Sequence, residues 1–216
     1  MFRSVLFDFA FTLFGPDPDA WVQSAAASVG RTVSRTDADR ITTAFSALLR
    51  ETATDVAHAR RDLDPAVNEQ LVPPLIAQIE GVDLPFARAL ARSHIETMVP
   101  YPDTEEILRE LHARGIRAGV VSNIATDLRP LFTRHGLAKY VTSFTLSFEV
   151  GAVKPDARIW SAALTALDAT PDTTLMVGDH PASDGGAAAV GITSLILPMV
   201  PDVATPRGLS TVLRLV

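Results

Sequence analysis

Several side chains that could do chemistry follow directly after apolar stretches of this sequence. They are Asp8 after VLF, Ser122 after AGVV, Lys154 shortly after SFTLSF, and Asp179 after TLMVG, with Asp184 five residues further on. Carboxylates that cluster without a cation repel one another, and Mg²⁺ held by oxygen ligands relieves that repulsion most simply. The set therefore predicts a Mg²⁺ site, with the ammonium and the hydroxyl suited to the anionic end of a small-molecule substrate.

These side chains can act together only if the fold brings them to one edge of one sheet. Residues 101–216 alternate apolar strands with helices, and residues 1–14 add a first buried strand and a turn. Strands that are apolar throughout are typical of a parallel sheet covered by helices on both faces. We therefore predict the α/β class, a doubly wound parallel sheet, whose ligand site lies at the carboxyl ends of the strands.

The stretch between the first strand and the rest of the sheet has a different character. Residues 15–100 are nearly all helical in pattern, with helix starts at Pro65 and Pro85 among others. The sequence thus predicts two domains: an α/β core formed by residues 1–14 and 101–216, and an inserted helical domain formed by residues 15–100.

Two local patterns predict helices within the second half of the chain. Asp103 and Glu106 have the spacing of a capping box at a helix start. Residues 125–135 are also predicted to be helical, and Gly136 ends them.

The histidines are not assigned a catalytic role. His180 follows Asp179 directly, but a lone histidine in a loop is more often solvated. The remaining four lie on predicted helices or at their ends and are expected at the surface; they are His58, His94, His112 and His135.

Composition restricts the class of protein. The net charge of −6 argues against a nucleic-acid or membrane surface as a partner. The absence of cysteine excludes disulfides and thiol nucleophiles and is consistent with a reducing cytoplasm. The first apolar run is interrupted by Asp8, and we predict neither a signal peptide nor a membrane span. The expected protein is cytoplasmic, as a monomer or homodimer.

Four motifs in order carry a family resemblance that covers the whole chain. The sequence resembles the haloacid dehalogenase (HAD) superfamily of hydrolases, and residues 15–100 resemble its small helical cap. The motifs are Asp8-x-x-x-Thr12, Ser122, Lys154 and Gly178-Asp179-x₄-Asp184-x₂-Ala187.

The resemblance implies a role for each matching residue. Asp8 would be the nucleophile that forms a covalent aspartyl intermediate, and Thr12 would orient its carboxylate. Ser122 would bind the transferred group, with Asn123 beside it, and Lys154 would balance the charge of the nucleophile and the substrate.

The resemblance also implies the ligands of the Mg²⁺ ion. These would be Asp8, the backbone oxygen of Ala10, Asp179 and Asp184. Asp184 could equally cap the helix that follows it, and the two roles are compatible.

The first motif departs from the family pattern at two positions. Family phosphatases usually have Asp-x-Asp-Gly-Thr, whereas this chain has Asp8-Phe9-Ala10-Phe11-Thr12. The second Asp normally protonates the leaving alcohol and then activates water, which is worth roughly 10²–10⁴-fold in rate. Phe in place of Gly must adopt ordinary backbone angles or accept strain.

The departure at position 10 is compatible with different functions, and carbon–phosphorus hydrolysis is excluded among them. A phosphohydrolase could act on a substrate with a good leaving group, or take a base from the cap. A 2-haloacid dehalogenase needs no acid, and Asn123 fits that branch, but such enzymes use no metal and usually lack an acid at Asp179. Carbon–phosphorus hydrolysis needs a cap lysine, and residues 15–100 contain none. A catalytically impaired binding protein is the alternative outside enzymes. The favoured function is Mg²⁺-dependent hydrolysis of a small phosphorylated metabolite.

Overall fold

A parallel sheet forms the centre of the protein in the computed structural model, which describes residues 2–52 and 60–216. The strands within these residues are β1 (Ser4–Phe7), β2 (Phe14–Pro16), β3 (Met98–Pro100), β4 (Arg117–Ser122), β5 (Ser143–Leu146), β6 (Thr174–Gly178) and β7 (Thr193–Ile196). Five of them pair in parallel in the order β5-β4-β1-β6-β7. The predicted parallel α/β sheet is therefore confirmed.

Helices cover both faces of this sheet. The α-helices of the described residues are α1 (Ser24–Ser28), α2 (Arg35–Glu51), α3 (Pro65–Ile76), α4 (Leu84–Ser93), α5 (Thr104–Ala113), α6 (Arg129–Arg134), α7 (Ser147–Val150) and α8 (Ala157–Ala166). Successive residues of β1 point to opposite faces. Val5 and Phe7 pack in a cluster with Phe132 of α6, whereas Leu6 packs in a second cluster with Trp160 of α8.

Helices α1 to α4 form a segment with an apolar cluster of its own, which we call the helical segment (residues 17–97). Its buried side chains include Trp21, Ile41, Phe45, Phe86 and Leu90. Because this cluster does not merge with the two that flank the sheet, the helices bury their apolar faces mainly against one another.

The helical segment is joined to the sheet through a two-stranded ribbon. Strand β2 leads into the segment and β3 leads out of it, and the two pair antiparallel. Phe14 lies opposite Pro100, and Pro16 lies opposite Met98. The chain therefore leaves and returns at the same place, beside the end of β1.

Two local predictions are wrong. The capping box at Asp103 does not form, because its carboxylate accepts hydrogen bonds from the backbone N–H groups of Arg207 (3.0 Å) and Leu209 (2.8 Å) instead. Helix α6 begins only at Arg129, where the Asp127 carboxylate accepts from the Arg129 N–H at 3.0 Å.

In the part of the chain that the structure describes, every helix is too short or too polar to cross a membrane.

Candidate functional site

The predicted site residues converge at the carboxyl ends of adjacent strands. Asp8 directly follows β1, Ser122 is the last residue of β4, and Asp179 directly follows β6. Since β1 lies between β4 and β6, these three side chains are neighbours. The sheet also reverses its strand order here, which is where open α/β sheets bind ligands.

Lys154 lies at the centre of this group and is almost completely buried. Its ammonium donates to Asp8 Oδ1 at 2.6 Å and to Asp184 Oδ1 at 2.7 Å. Burial opposes the charge, but Asp184 and Asp8 together outweigh it, so the pKa of Lys154 is raised above its usual value. Lys154 therefore stays cationic and holds the two carboxylates together.

Asp184 ties the loop after β6 to this lysine. Its second oxygen accepts the backbone N–H groups of Asp179 (3.0 Å) and His180 (2.9 Å). Its carboxylate does not cap the helical turn that begins at Gly185. A side chain on Gly178 would overlap the Asp184 carboxylate, which explains glycine at that position.

Three carboxylates form the acidic part of the site. Asp8, Asp179 and Asp184 each offer an oxygen, and these oxygens lie within 4.8 Å of one another. Burial, together with the charges of Asp184 and Asp179, raises the pKa of Asp8 to about 7 against the opposing effect of Lys154. Burial and the Asp184 charge also raise the pKa of Asp179. Such a set of hard oxygen donors fits a divalent cation, whose charge would offset this repulsion.

Arg50 reaches this cluster from the helical segment. It lies in the last turn of α2 and donates to Asp179 Oδ2, although 129 positions separate the two residues. Sequence reasoning missed Arg50, because nothing local distinguishes it from the other arginines of the segment.

The loop after β1 is compact and strained at one residue. The Phe9 carbonyl accepts from the N–H groups of Leu13 and Phe14, both at 3.0 Å. Phe11 has φ 57°, in the left-handed region that glycine occupies easily and bulky side chains rarely do. Of the two outcomes expected for Phe at this position, strain is the one observed.

Two predicted residues have contacts other than those expected of their roles. The buried hydroxyl of Thr12 makes no hydrogen bond within the described residues, so it does not orient Asp8 here. The Asn123 amide binds the backbone of Lys154, accepting its N–H at 2.6 Å and donating to its carbonyl at 3.1 Å. In this geometry Asn123 positions Lys154.

A cavity of about 200 Å³ opens onto the acidic cluster. Its floor includes Asp8, Ser122 and Lys154. The helical segment supplies a wall of mixed character. Its apolar members are Phe45, Leu49, Val72, Ala91 and Ile95, and its polar members are Arg50, Arg61, Asp62, Asn68 and His94.

Two histidines also line this cavity. His94 was expected at the surface, but it is buried against Trp21 and Phe45, with ring centroids at 4.9 and 4.7 Å. Burial lowers the pKa of His94 to about 4, so the ring is neutral at pH 7. The Nδ1 atom of His180 accepts from the Ser183 N–H at 3.1 Å. His58 lies outside the described residues.

Comparisons with known proteins agree with this geometry. Residues 3–191 match the family described as "Hydrolase: haloacid dehalogenase-like hydrolase". A phosphoserine phosphatase of Thermus thermophilus is 36% identical over 97 residues, which are 44% of this chain and 39% of the relative. A ribulose-1,5-bisphosphate 5-phosphatase of Halopiger xanaduensis is 31% identical over 118 residues, or 54% and 49%. The matched stretches thus span less than half of these relatives.

A solved structure shares the fold over its full length. It is described as a dehalogenase, is 21% identical and has a TM-score of 0.74, with 100% of this chain and 97% of that chain covered. At this level of identity the likeness concerns the fold alone.

Proposed function

Because this chain belongs to the haloacid dehalogenase-like hydrolases, we propose that it is a Mg²⁺-dependent phosphohydrolase that acts on a small phosphorylated metabolite through Asp8. One observation carries the proposal. A buried lysine joins the candidate nucleophile Asp8 to Asp184, and Asp184 holds the loop that presents Asp179.

Two contacts support Asp8 as the proposed nucleophile. One of its oxygens is held by Lys154, and the side chain lines the cavity. An Asp8 oxygen attacks phosphorus, the bond from phosphorus to the leaving oxygen breaks, and an aspartyl phosphate forms. Water then attacks this intermediate, releases inorganic phosphate and restores the carboxylate. Lys154 and Ser122 would lie beside the transferred group and stabilise its negative charge.

The metal ion would be held by Asp8, Asp179 and the backbone oxygen of Ala10. When bound, it would offset negative charge on the carboxylate and on the phosphoryl group. Both oxygens of Asp184 already accept hydrogen bonds, so we assign to Asp184 the positioning of Lys154 and of the loop that carries Asp179.

The cavity indicates the size and character of the substrate. A volume of about 200 Å³ suits a small metabolite. The charged floor would hold the phosphoryl group, and the apolar side chains on the wall from the helical segment would contact the remainder. We therefore propose that residues 15–100 act as a cap that excludes water from the site.

Ala10 restricts the leaving group. With no carboxyl side chain at this position, proton donation to the leaving oxygen is missing from the first motif. The rate of hydrolysis should therefore be reduced least for substrates whose leaving group is stable as an anion, such as acyl or aryl phosphates.

A second candidate is a carbon–halogen hydrolase. It is favoured by Ala10, because a halide leaves without a proton, and the dehalogenase described above shares the fold. The carboxylate of Asp179 favours the phosphohydrolase, because that reaction uses a metal and Asp179 is one of the proposed ligands.

The test measures hydrolysis of an aryl phosphate, acetyl phosphate and 2-chloropropionate, with Mg²⁺ or with chelator. We expect phosphate release that needs Mg²⁺ and is lost in Asp8→Asn. The control is Asp39→Asn, the same change at an exposed position of α2. Chloride release without metal would assign the second candidate instead. Absence of turnover on all three compounds, with anion binding retained, would indicate a binding protein.

A further inference from the structure

We infer that Arg50 of the helical segment and the metal ion compete for Asp179, so that the Arg50–Asp179 ion pair and metal loading exclude each other. The inference rests on the proposed function, since it concerns the metal that this function needs. If the two exclude each other, Arg50 couples the position of the helical segment to the binding of the metal ion.

The Arg50–Asp179 contact involves an oxygen of a proposed metal ligand. The Asp179 side chain is only 5% exposed, and Arg50 Nη1 donates to its Oδ2 atom. Arg50 Nη1 also lies 3.5 Å from the Met199 sulfur, an uncharged partner. Within the described residues, Asp179 is the one carboxylate that pairs with Arg50.

A second arginine at this cavity, the buried Arg61, has different partners. Arg61 binds Asp62 through Nε (3.0 Å) and Nη2 (3.1 Å), and it donates from Nη1 to the Thr52 hydroxyl at 2.8 Å. These contacts lie within the helical segment. Arg50 is thus the arginine of the cavity wall whose charge is directed at the acidic cluster.

Charge balance explains why the two cations compete. In the ionised form that binds a metal ion, the carboxylates of Asp8, Asp179 and Asp184 supply three negative charges, and Lys154 and Arg50 supply two positive charges. A divalent ion bound to Asp179 beside the guanidinium would face a like charge at close range in a buried site. Release of Arg50 would remove this repulsion and make the Asp179 oxygen available as a ligand.

A released Arg50 remains on the wall of the cavity. Its guanidinium then faces the space where an anionic substrate binds, and guanidinium groups bind phosphate and carboxylate through paired hydrogen bonds. The expected order is therefore metal first, followed by the anion.

The first experiment measures Mg²⁺ binding by calorimetry on chelator-treated protein, without substrate. Arg50→Met should bind Mg²⁺ about tenfold more tightly than the wild type, within the range usual for coupled sites. Arg50→Lys keeps a charge and should stay close to the wild type. The matched control is Arg40→Met on the same helix, since the ion pair that Arg40 forms among the described residues is with the exposed Asp37. This variant should leave Mg²⁺ affinity unchanged.

The second experiment measures amide hydrogen exchange in the last turn of α2. Addition of Mg²⁺ should speed exchange there in the wild type, because the ion pair that holds this turn is lost. In Arg50→Met exchange should be fast already and insensitive to Mg²⁺. If that variant does not fold, the wild-type response alone decides the question.

The outcomes separate this inference from the proposed function. Equal or weaker Mg²⁺ binding by Arg50→Met, or an unchanged exchange rate in the wild type, would overturn the inference and leave a metal-dependent hydrolase intact. Absence of Mg²⁺ binding in all the proteins would overturn both. Mg²⁺ binding that appears only in Arg50→Met would support the inference in its strongest form.

Discussion

His94 should make the stability of the protein fall in mild acid. Burial lowers the pKa of His94 from 6.5 to about 4 in the folded protein. As the pH falls below 6.5, the unfolded chain takes up a proton that the folded protein resists. Unfolding is thereby favoured, and the stabilisation present above pH 6.5 is lost progressively toward pH 4.

The structure sets the size of this effect. A pKa lowered from 6.5 to about 4 corresponds to a total of roughly 3 kcal/mol. Roughly 2 kcal/mol of it should be lost by about pH 5. The value is large for one side chain because the ring is buried against Trp21 and Phe45, where an imidazolium would be poorly solvated.

The assay compares the wild type with His94→Phe, which keeps an aromatic ring and removes the titration. Urea unfolding is followed by circular dichroism at several pH values in chelator, and the difference in free energy of unfolding is plotted against pH. His112→Phe, at an exposed position, is the control and should give a flat difference. A flat difference for His94→Phe as well would refute the reasoning.

Two further substitutions test the site itself. Ala10→Asp supplies the absent carboxyl and should raise Mg²⁺-dependent phosphate release from an alkyl phosphate by about 10²-fold or more; no gain in a folded, metal-binding variant would contradict our account of position 10. Gly178→Ala places a methyl group against the Asp184 carboxylate and should cost about 1–3 kcal/mol in urea unfolding. Gly185→Ala, whose new methyl group would meet open space, is its control, and equal stability of the two variants would count against a tight loop.

The sheet and the position of the site could be predicted because both follow from chain-local patterns. Strands buried on both faces are apolar throughout, and a polar residue directly after such a strand must lie at its carboxyl end. Asp8, Ser122 and Asp179 were placed together in this way. In a doubly wound sheet the carboxyl ends of the central strands meet at one edge. The class of fold was therefore enough to place these three residues together.

The contacts that could not be predicted depend on partners far away in sequence. Arg50 has the pattern of an ordinary helix arginine, and only the tertiary position of α2 brings it to Asp179. His94 lies at the end of a helix, yet Trp21 and Phe45 enclose it. Asp103 has the spacing of a helix cap, but the backbone near Arg207 competes for its carboxylate.

The ribbon of β2 and β3 has a consequence for the evolution of such proteins. Because Pro16 and Met98 lie opposite each other in this ribbon, the chain enters and leaves the helical segment at one place. Insertions are tolerated best where the two ends of the inserted chain are close together. The helical segment can therefore be lengthened, shortened or exchanged without altering the path of the strands. Residues that contact the variable part of a substrate can then diverge quickly while Asp8 and its neighbours stay in place.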